Sequence, residues 1–122
     1  MNELVSVITP SYNSARFIED SITSVIQQTY DNWELIIVDD SSTDHSRDII
    51  KKMAKKDKRI LPIFLSNNSG SAIARNTAIN NSQGRYIAFL DADDIWYKSK
   101  LKTQLKFMRK KNSSFSFTSY NI

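Results

Sequence analysis

Trp33-Glu34-Leu35-Ile36-Ile37-Val38 is an almost unbroken apolar run that stops abruptly at Asp39-Asp40-Ser41-Ser42. Six residues is a strand's length rather than a helix's, and a strand apolar at nearly every position is buried on both faces. Sheets covered on both faces are parallel ones, joined by helical crossovers. The flanking sequence has that alternation. Leu4–Thr9 reads as a β-branched strand ending at Pro10, and from Ala15 to Gln28 the residues Phe17, Ile18, Ile22, Val25 and Ile26 line one helical face. After the run, a helix opens with Asp44 as N-cap and buries Ile49, Ile50 and Met53. Ile60–Leu65 is a third strand, and Ala72–Asn80 a short helix through Ile73, Ala74, Ala78 and Ile79. Tyr86–Leu90 is a fourth buried strand, which also stops at acids, Asp91-Ala92-Asp93-Asp94. A last helix over about Lys98–Lys110 carries Leu101, Leu105 and Met108 at i, i+4 and i+7, and Phe115–Tyr120 reads as a fifth strand.

Composition narrows the classes. The chain has 122 residues, enough for one domain and too few for two ordinary ones. Cysteine is absent, which excludes a disulfide frame, a cysteine zinc site and a thiol nucleophile. The single His45 leaves no histidine metal cluster. Seventeen basic against thirteen acidic residues give +4, without a base-reading motif or an aromatic-interleaved basic patch, so nucleic acid is not an expected partner. No apolar stretch approaches the ~20 residues of a membrane helix, and the N-terminus has no signal-peptide pattern, which sets a cytoplasmic expectation. The sequons at Asn67, Asn80 and Asn112 are read as chance.

Strand and helix in alternation with short links give an α/β fold: a Rossmann-like open, mostly parallel sheet with helices on both faces and right-handed crossovers. In such sheets ligands collect beyond the C-terminal strand ends, where the strand order reverses. With order 3-2-1-4 the tips Pro10-Ser11-Tyr12-Asn13, Asp39-Asp40 and Asp91-Ala92-Asp93 share one crevice. Four carboxylates there would repel one another and raise their own pKa values unless a cation sat among them. Asp91 and Asp93 are two apart, so in an extended segment both point to one side. Carboxylate oxygens suit Mg²⁺ or Mn²⁺, and a hard ion with few protein ligands calls for a diphosphate as its other partner. An isolated Asp-x-Asp is ordinarily a loop or helix cap. Directly after a buried strand, beside a second acidic strand end, it points to a metal. Of Asp39 and Asp40, one has the ordinary reading of favouring the next helix start, and the other can accept from a ligand N–H such as that of uracil. Tyr12 offers an aromatic face to a base, or simply packs.

Val5-Ser-Val-Ile-Thr-Pro-Ser-Tyr-Asn13, Gln28-Thr-Tyr-Asp-Asn-Trp-Glu-Leu-Ile-Ile-Val-Asp-Asp-Ser-Ser-Thr-Asp44, Ala74-Arg-Asn76 and Gly84-Arg-Tyr-Ile-Ala-Phe-Leu-Asp-Ala-Asp-Asp94 together resemble the family 2 glycosyltransferases, in the family's order, from about Val5 to Leu101. The resemblance implies a GT-A fold and an inverting, metal-dependent transfer from a nucleotide-sugar donor, often a UDP-sugar, to a glycan or lipid-linked acceptor. Carried over residue by residue, it puts Pro10, Tyr12, Asn13, Asp39, Asp40, Arg75 and Asp91 at the nucleotide. Asp40 would accept the uracil N–H, Asp91 would face the ribose or the metal's outer shell, and Asp93 would bind Mn²⁺ or Mg²⁺ on the diphosphate.

Two positions depart from the family pattern: Ser41 stands where Gly is usual, and Lys98-Ser99 where Pro-Asp is common. Family members also continue well past this length, and their acidic general base lies in that later part. The expectation is therefore that residues 1–122 are the donor-binding portion of a truncated domain, with the base beyond Ile122 and this piece inactive. A non-catalytic nucleotide-binding module shares every donor-site residue and stays open. A response-regulator receiver fails, because it wants acids after the first strand, an acceptor Asp after the third and a Lys after the fifth. A haloacid-dehalogenase-like phosphatase fails because its Asp-x-Asp follows the first strand. Lys51–Arg59 reads as a solvated helix face. The basic amphipathic helix near Lys98–Lys111 is either a plain surface helix or a peripheral contact with the inner face of the membrane. Trp33 and Trp96 read as packing, with a weaker reading of Trp96 against the sugar.

Overall fold

β1 (Val5–Ser11) lies at the centre of a five-stranded sheet, between β2 (Trp33–Asp39) and β4 (Tyr86–Phe89), with β3 (Ile60–Phe64) and β5 (Phe117–Thr118) at the edges. Every pair is parallel and the order is β3-β2-β1-β4-β5, so the anticipated 3-2-1-4 arrangement is the one found. The structure, a computed structural model, describes residues 3–110 and 117–118. Of the expected strand Phe115–Tyr120, only β5 falls within them. Helices α1 (Ile18–Ile26), α2 (Ser46–Lys56), α3 (Ser71–Asn80) and α4 (Lys100–Lys110) make the connections.

Strand alternation sorts the core into two layers. On one face Val5, Val7, Leu35, Ile37, Tyr86 and Ala88 pack with Ile18, Ile22 and Val25 of α1, Ile50 and Met53 of α2, and Leu101, Leu105 and Met108 of α4. On the other face Ile8, Ile36 and Val38 pack against Ala74 and Ala78, whose small side chains let α3 lie close to the sheet. Their i, i+4 spacing sets the rotation of α3, which leaves Ile73 exposed rather than in the core as its spacing had suggested. Trp33 and Trp96 are both buried in the larger layer.

β1 runs on through Pro10 and Ser11, past the expected stop. Ile8 uses its carbonyl toward β4 (Leu90 N–H, 3.0 Å) and Ser11 toward β2 (Asp40 N–H, 2.8 Å). Pro10 therefore faces the β4 side, where pairing has already ended at Ile8–Phe89, and its missing N–H costs no ladder bond. Pro62 is accommodated in the same way on the open edge of β3.

The helix starts shift for identifiable reasons. α1 begins at Ile18, not Ala15, because Asn13 adopts φ 48° and the Ser14 carbonyl closes a turn on the Phe17 and Ile18 N–H groups. Phe17 is left exposed. α2 begins at Ser46 with His45 at the cap position; Asp44 sits one residue further out and still accepts the Ser46 N–H at 2.9 Å. Against the burial that raises it, hydrogen bonds from Ser46 and Ala15 hold the Asp44 carboxyl below its ordinary value. α4 begins at Lys100, two residues after the expected Lys98.

At the N-terminal end of the sheet, Ser6 donates to the buried Glu34 at 2.6 Å, and Glu34 also accepts the Gln83 N–H at 2.7 Å. The Gly84 N–H donates to Ser6 Oγ. A Cβ on Gly84 would lie 2.7 Å from the Ser6 nitrogen, so this close approach requires glycine. The exposed lysines of Lys51–Arg59 stand in solvent, while Arg59 stacks over Trp33 at 3.7 Å.

Candidate functional site

The C-terminal tips of β2, β1 and β4 are adjacent, as the strand order requires. Alternation decides which tip residues face the crevice. Ile36 and Val38 point to the α3 layer, so Asp40 does too, while Leu35 and Ile37 point to the α1–α2 layer, and Asp39 with them. Asp39 is fully buried and lines neither cavity described below. Its carboxylate accepts the Ser42 N–H at 2.9 Å and hydroxyl at 2.6 Å, with Arg47 Nε 4.0 Å away. It shapes the β2–α2 turn, and the expected gathering of four carboxylates loses this member.

Asp40 meets the start of α3. One oxygen accepts the Ser69 N–H at 2.7 Å and the other the Gly70 N–H at 2.8 Å. A carboxylate has about four acceptor positions, so both oxygens keep capacity for a ligand donor. Pro10, Ser11, Tyr12, Asp40, Arg75 and Asp91 share a cavity of about 170 Å³ with Ser71, Ala74 and Ala92. Tyr12 is 51% exposed, with its ring free to meet a planar group. A second cavity, about 280 Å³, adjoins the first across Pro10, Tyr12 and Ala92, and is lined by Asn13, Ser14, Phe17 and Asp93. Asn13 is a rim residue whose Oδ1 accepts the Thr43 N–H at 2.8 Å, tying the β1–α1 loop to the β2–α2 loop.

Asp91–Asp94 is a turn rather than an extended segment, closed by the Asp94 N–H on the Asp91 carbonyl at 3.0 Å. The turn draws in a third acid that the extended reading left out. One oxygen each of Asp91, Asp93 and Asp94 lies within 4.8 Å of the others. Burial, then the charges of Asp91 and Asp93, push the Asp94 carboxyl up from its ordinary value. This all-oxygen set at a partly exposed rim fits a hard divalent cation that keeps waters and other oxygen ligands. Ser21 of α1 holds the turn from behind, through the carbonyls of Ala92 and Asp94. Neither Ser21 nor the Ser69–Gly70 contact was found from sequence; the break at Gly70 was the available signal for the latter.

Residues 6–121 match the family model of Glycosyl transferase family 2. The chain belongs to that family. Its open parallel sheet and strand order are those of GT-A glycosyltransferase structures. TarS residues 1–349 of S. aureus in complex with UDP-GlcNAc superimposes with TM-score 0.80 at 33% identity, covering 87% of this chain and 31% of that one. The mannosyltransferase PcManGT from Pyrobaculum calidifontis, in complex with GDP-Man and Mn²⁺, gives TM-score 0.80 at 29% identity over 85% of this chain and 32% of its own. In sequence, TuaG of Bacillus subtilis (strain 168), a glycosyltransferase named for teichuronic acid biosynthesis, is 55% identical over 119 residues, 98% of this chain and 47% of TuaG. The Escherichia coli UDP-Glc:alpha-D-GlcNAc-diphosphoundecaprenol beta-1,3-glucosyltransferase WfgD is 48% identical over 98% of this chain and 46% of its own length. This family 2 chain therefore spans about half the length of those curated relatives.

Proposed function

We propose that this chain carries the donor site of an inverting, metal-dependent glycosyltransferase that uses a UDP-sugar. The observation behind this reading is the shared cavity in which Tyr12, Asp40, Arg75 and Asp91 meet beside the acidic turn. Tyr12 and Pro10 would hold the base, and Asp40, oriented by two backbone donors, would accept the single ring N–H of uracil. Arg75 offers a cation to the donor, and Asp91 a carboxylate to the ribose hydroxyls. TarS bound to UDP and to UDP-GlcNAc supports the choice of nucleotide.

Asp91 and Asp93 would hold Mn²⁺ or Mg²⁺, with Asp94 beside them; when bound, the ion offsets the charge of a departing diphosphate. An inverting transfer also needs a carboxylate base on the face opposite that leaving group, to take the acceptor's proton. We assign this base to residues outside these 122, and the acceptor to a glycan or a lipid-linked sugar, the latter by analogy with WfgD.

Calorimetric titration of UDP with and without Mn²⁺ tests the reading. UDP should bind, Mn²⁺ should tighten binding, and Asp93→Asn should remove the metal's contribution alone. Binding of GDP in preference to UDP would overturn the choice of donor. Absence of binding by any nucleoside diphosphate to the folded chain would overturn the site.

A further inference from the structure

We infer that the outer face of α4, with the strap leading into it, docks on an anionic lipid bilayer. From Ile95 to Lys110 the sequence carries six basic residues (Lys98, Lys100, Lys102, Lys106, Arg109 and Lys110) and no acid; Lys100 is buried, while Lys98, Lys102 and Lys106 are exposed. Leu101, Leu105 and Met108 are committed to the core, which fixes the rotation of the helix. Lys102, Thr103, Lys106 and Phe107 consequently face solvent, as do Tyr97 and Lys98 in the strap. Phe107 is 55% exposed and Tyr97 57%. The two rings lie on one stripe: Tyr97 lines a groove of about 180 Å³ with Lys100, Thr103 and Gln104, and Phe107 follows those last two at i+4 and i+3.

The strap is held in place. Ser21 fixes its start at Asp94, Gln28 donates to the Tyr97 carbonyl and accepts the Leu101 N–H, and the Thr29 N–H reaches the Lys98 carbonyl at 2.9 Å. The rings and lysines are thus presented by a rigid support rather than a loose loop.

Aromatic rings with a lysine flank suit the headgroup region, where rings enter the acyl boundary and ammonium groups stay at the anionic surface. No helix among the described residues is long and apolar enough to cross a membrane, so contact would be in-plane. α2 gives the internal contrast. Lys51, Lys52, Lys55 and Lys56 are exposed there too, but Asp48 stands among them and no large apolar residue of α2 is exposed. Charge is common to both helices, whereas charge with exposed rings belongs to α4 and the strap before it. The inference deepens the proposed function, since a lipid-linked acceptor resides in such a surface, yet docking itself needs no nucleotide.

Co-sedimentation with phosphatidylcholine vesicles, with and without phosphatidylglycerol, tests it on the whole chain. The chain should bind the phosphatidylglycerol vesicles selectively. Lys102→Gln/Lys106→Gln and Tyr97→Ser/Phe107→Ser should each weaken binding by about tenfold, and Lys52→Gln/Lys56→Gln on α2 should not. Thermal melts establish that each variant is folded, and UDP calorimetry on the same samples separates this docking from the donor site. Equal binding to both vesicle types, no binding, or equal losses from the α2 and α4 variants would overturn the inference. Capture by a soluble polyanion such as polyglutamate, without vesicle binding, would reassign the face to an acidic protein.

Discussion

The hydroxyl of Ser21 lies 2.7 Å from the carbonyl oxygen of Ala92, fastening the first turn of α1 to the middle of the acidic turn. It also lies 2.5 Å from the Asp94 carbonyl, so one small side chain fixes both halves of the loop that presents the carboxylates. Ser21→Ala removes the only donor these contacts use and should cost about 1–2 kcal/mol in urea unfolding. The same change should weaken Mn²⁺-assisted UDP binding several-fold and leave metal-free UDP binding unchanged. Equal losses with and without metal would show that Ser21 supports the whole cleft rather than the turn.

Adjacent acids, Asp39 and Asp40, should respond in different ways. Asp39 holds Ser42 inside the protein, whereas Asp40 holds Ser69 and Gly70 while facing the cavity. Asn in place of Asp40 turns one acceptor into a donor against a backbone N–H, and in place of Asp39 it removes the charged acceptor of the Ser42 N–H and hydroxyl, a loss of roughly 1.5–3 kcal/mol for hydrogen bonds to a charged group. Both variants should therefore melt earlier. Only Asp40→Asn should lose UDP affinity when each is measured well below its own melting temperature. A comparable loss in Asp39→Asn would return Asp39 to the nucleotide site, where the resemblance to family 2 had placed it.

That division was available in the sequence in principle. Leu35, Ile37 and Asp39 share one parity, and Ile36, Val38 and Asp40 the other, so the only missing datum was which layer covers the crevice. The strand order was legible because continuous apolar runs and short links leave a parallel sheet few topologies. The shape of Asp91–Asp94 was less so: period-two spacing describes a strand, and these residues lie just beyond one, where a turn hydrogen bond rather than the pleat decides direction. Phe17 and Ile73 matched a helical period yet lie outside the core. The period names a face, but the neighbours' bulk, here Ala74 and Ala78 against the sheet, decides how wide a stripe is covered.

Ser41 makes the turn after β2 with φ 62°, in the left-handed region, at the position where the family usually has glycine. That conformation costs a non-glycine residue roughly 1–2 kcal/mol, and the added freedom of glycine in the unfolded chain returns about 0.5–1 of it. Ser41→Gly should thus raise stability by up to about 1 kcal/mol, while Ser41→Val, β-branched and ill suited to positive φ, should lower it. Denaturant midpoints decide this, and a Ser41→Gly midpoint below the parent's would mean the strain is absent.

Asp57 supplies a pH dependence far from the crevice. Its carboxylate takes the Arg59 side chain at Oδ1 (3.0 Å) and Oδ2 (2.7 Å), and the Arg59 N–H at 3.0 Å. The hydrogen bonds from the Arg59 side chain are the largest influence and, with its N–H and charge, hold the Asp57 carboxyl below the ordinary value despite partial burial. A carboxyl depressed in the folded state binds its proton more readily when unfolded. Its stabilisation is complete above the unfolded pKa, about 3.9, and is lost as pH falls through the lower folded value. The same contact steadies Arg59 against Trp33, so the pair joins the end of α2 to the base of β2. Asp57→Asn should therefore cost about 1 kcal/mol at pH 7. The gap between parent and variant should narrow as unfolding is measured at successively lower pH beneath the unfolded value. A gap that stays constant from pH 7 to pH 2 would mean that the loss comes from packing around Arg59 rather than from the carboxylate's charge.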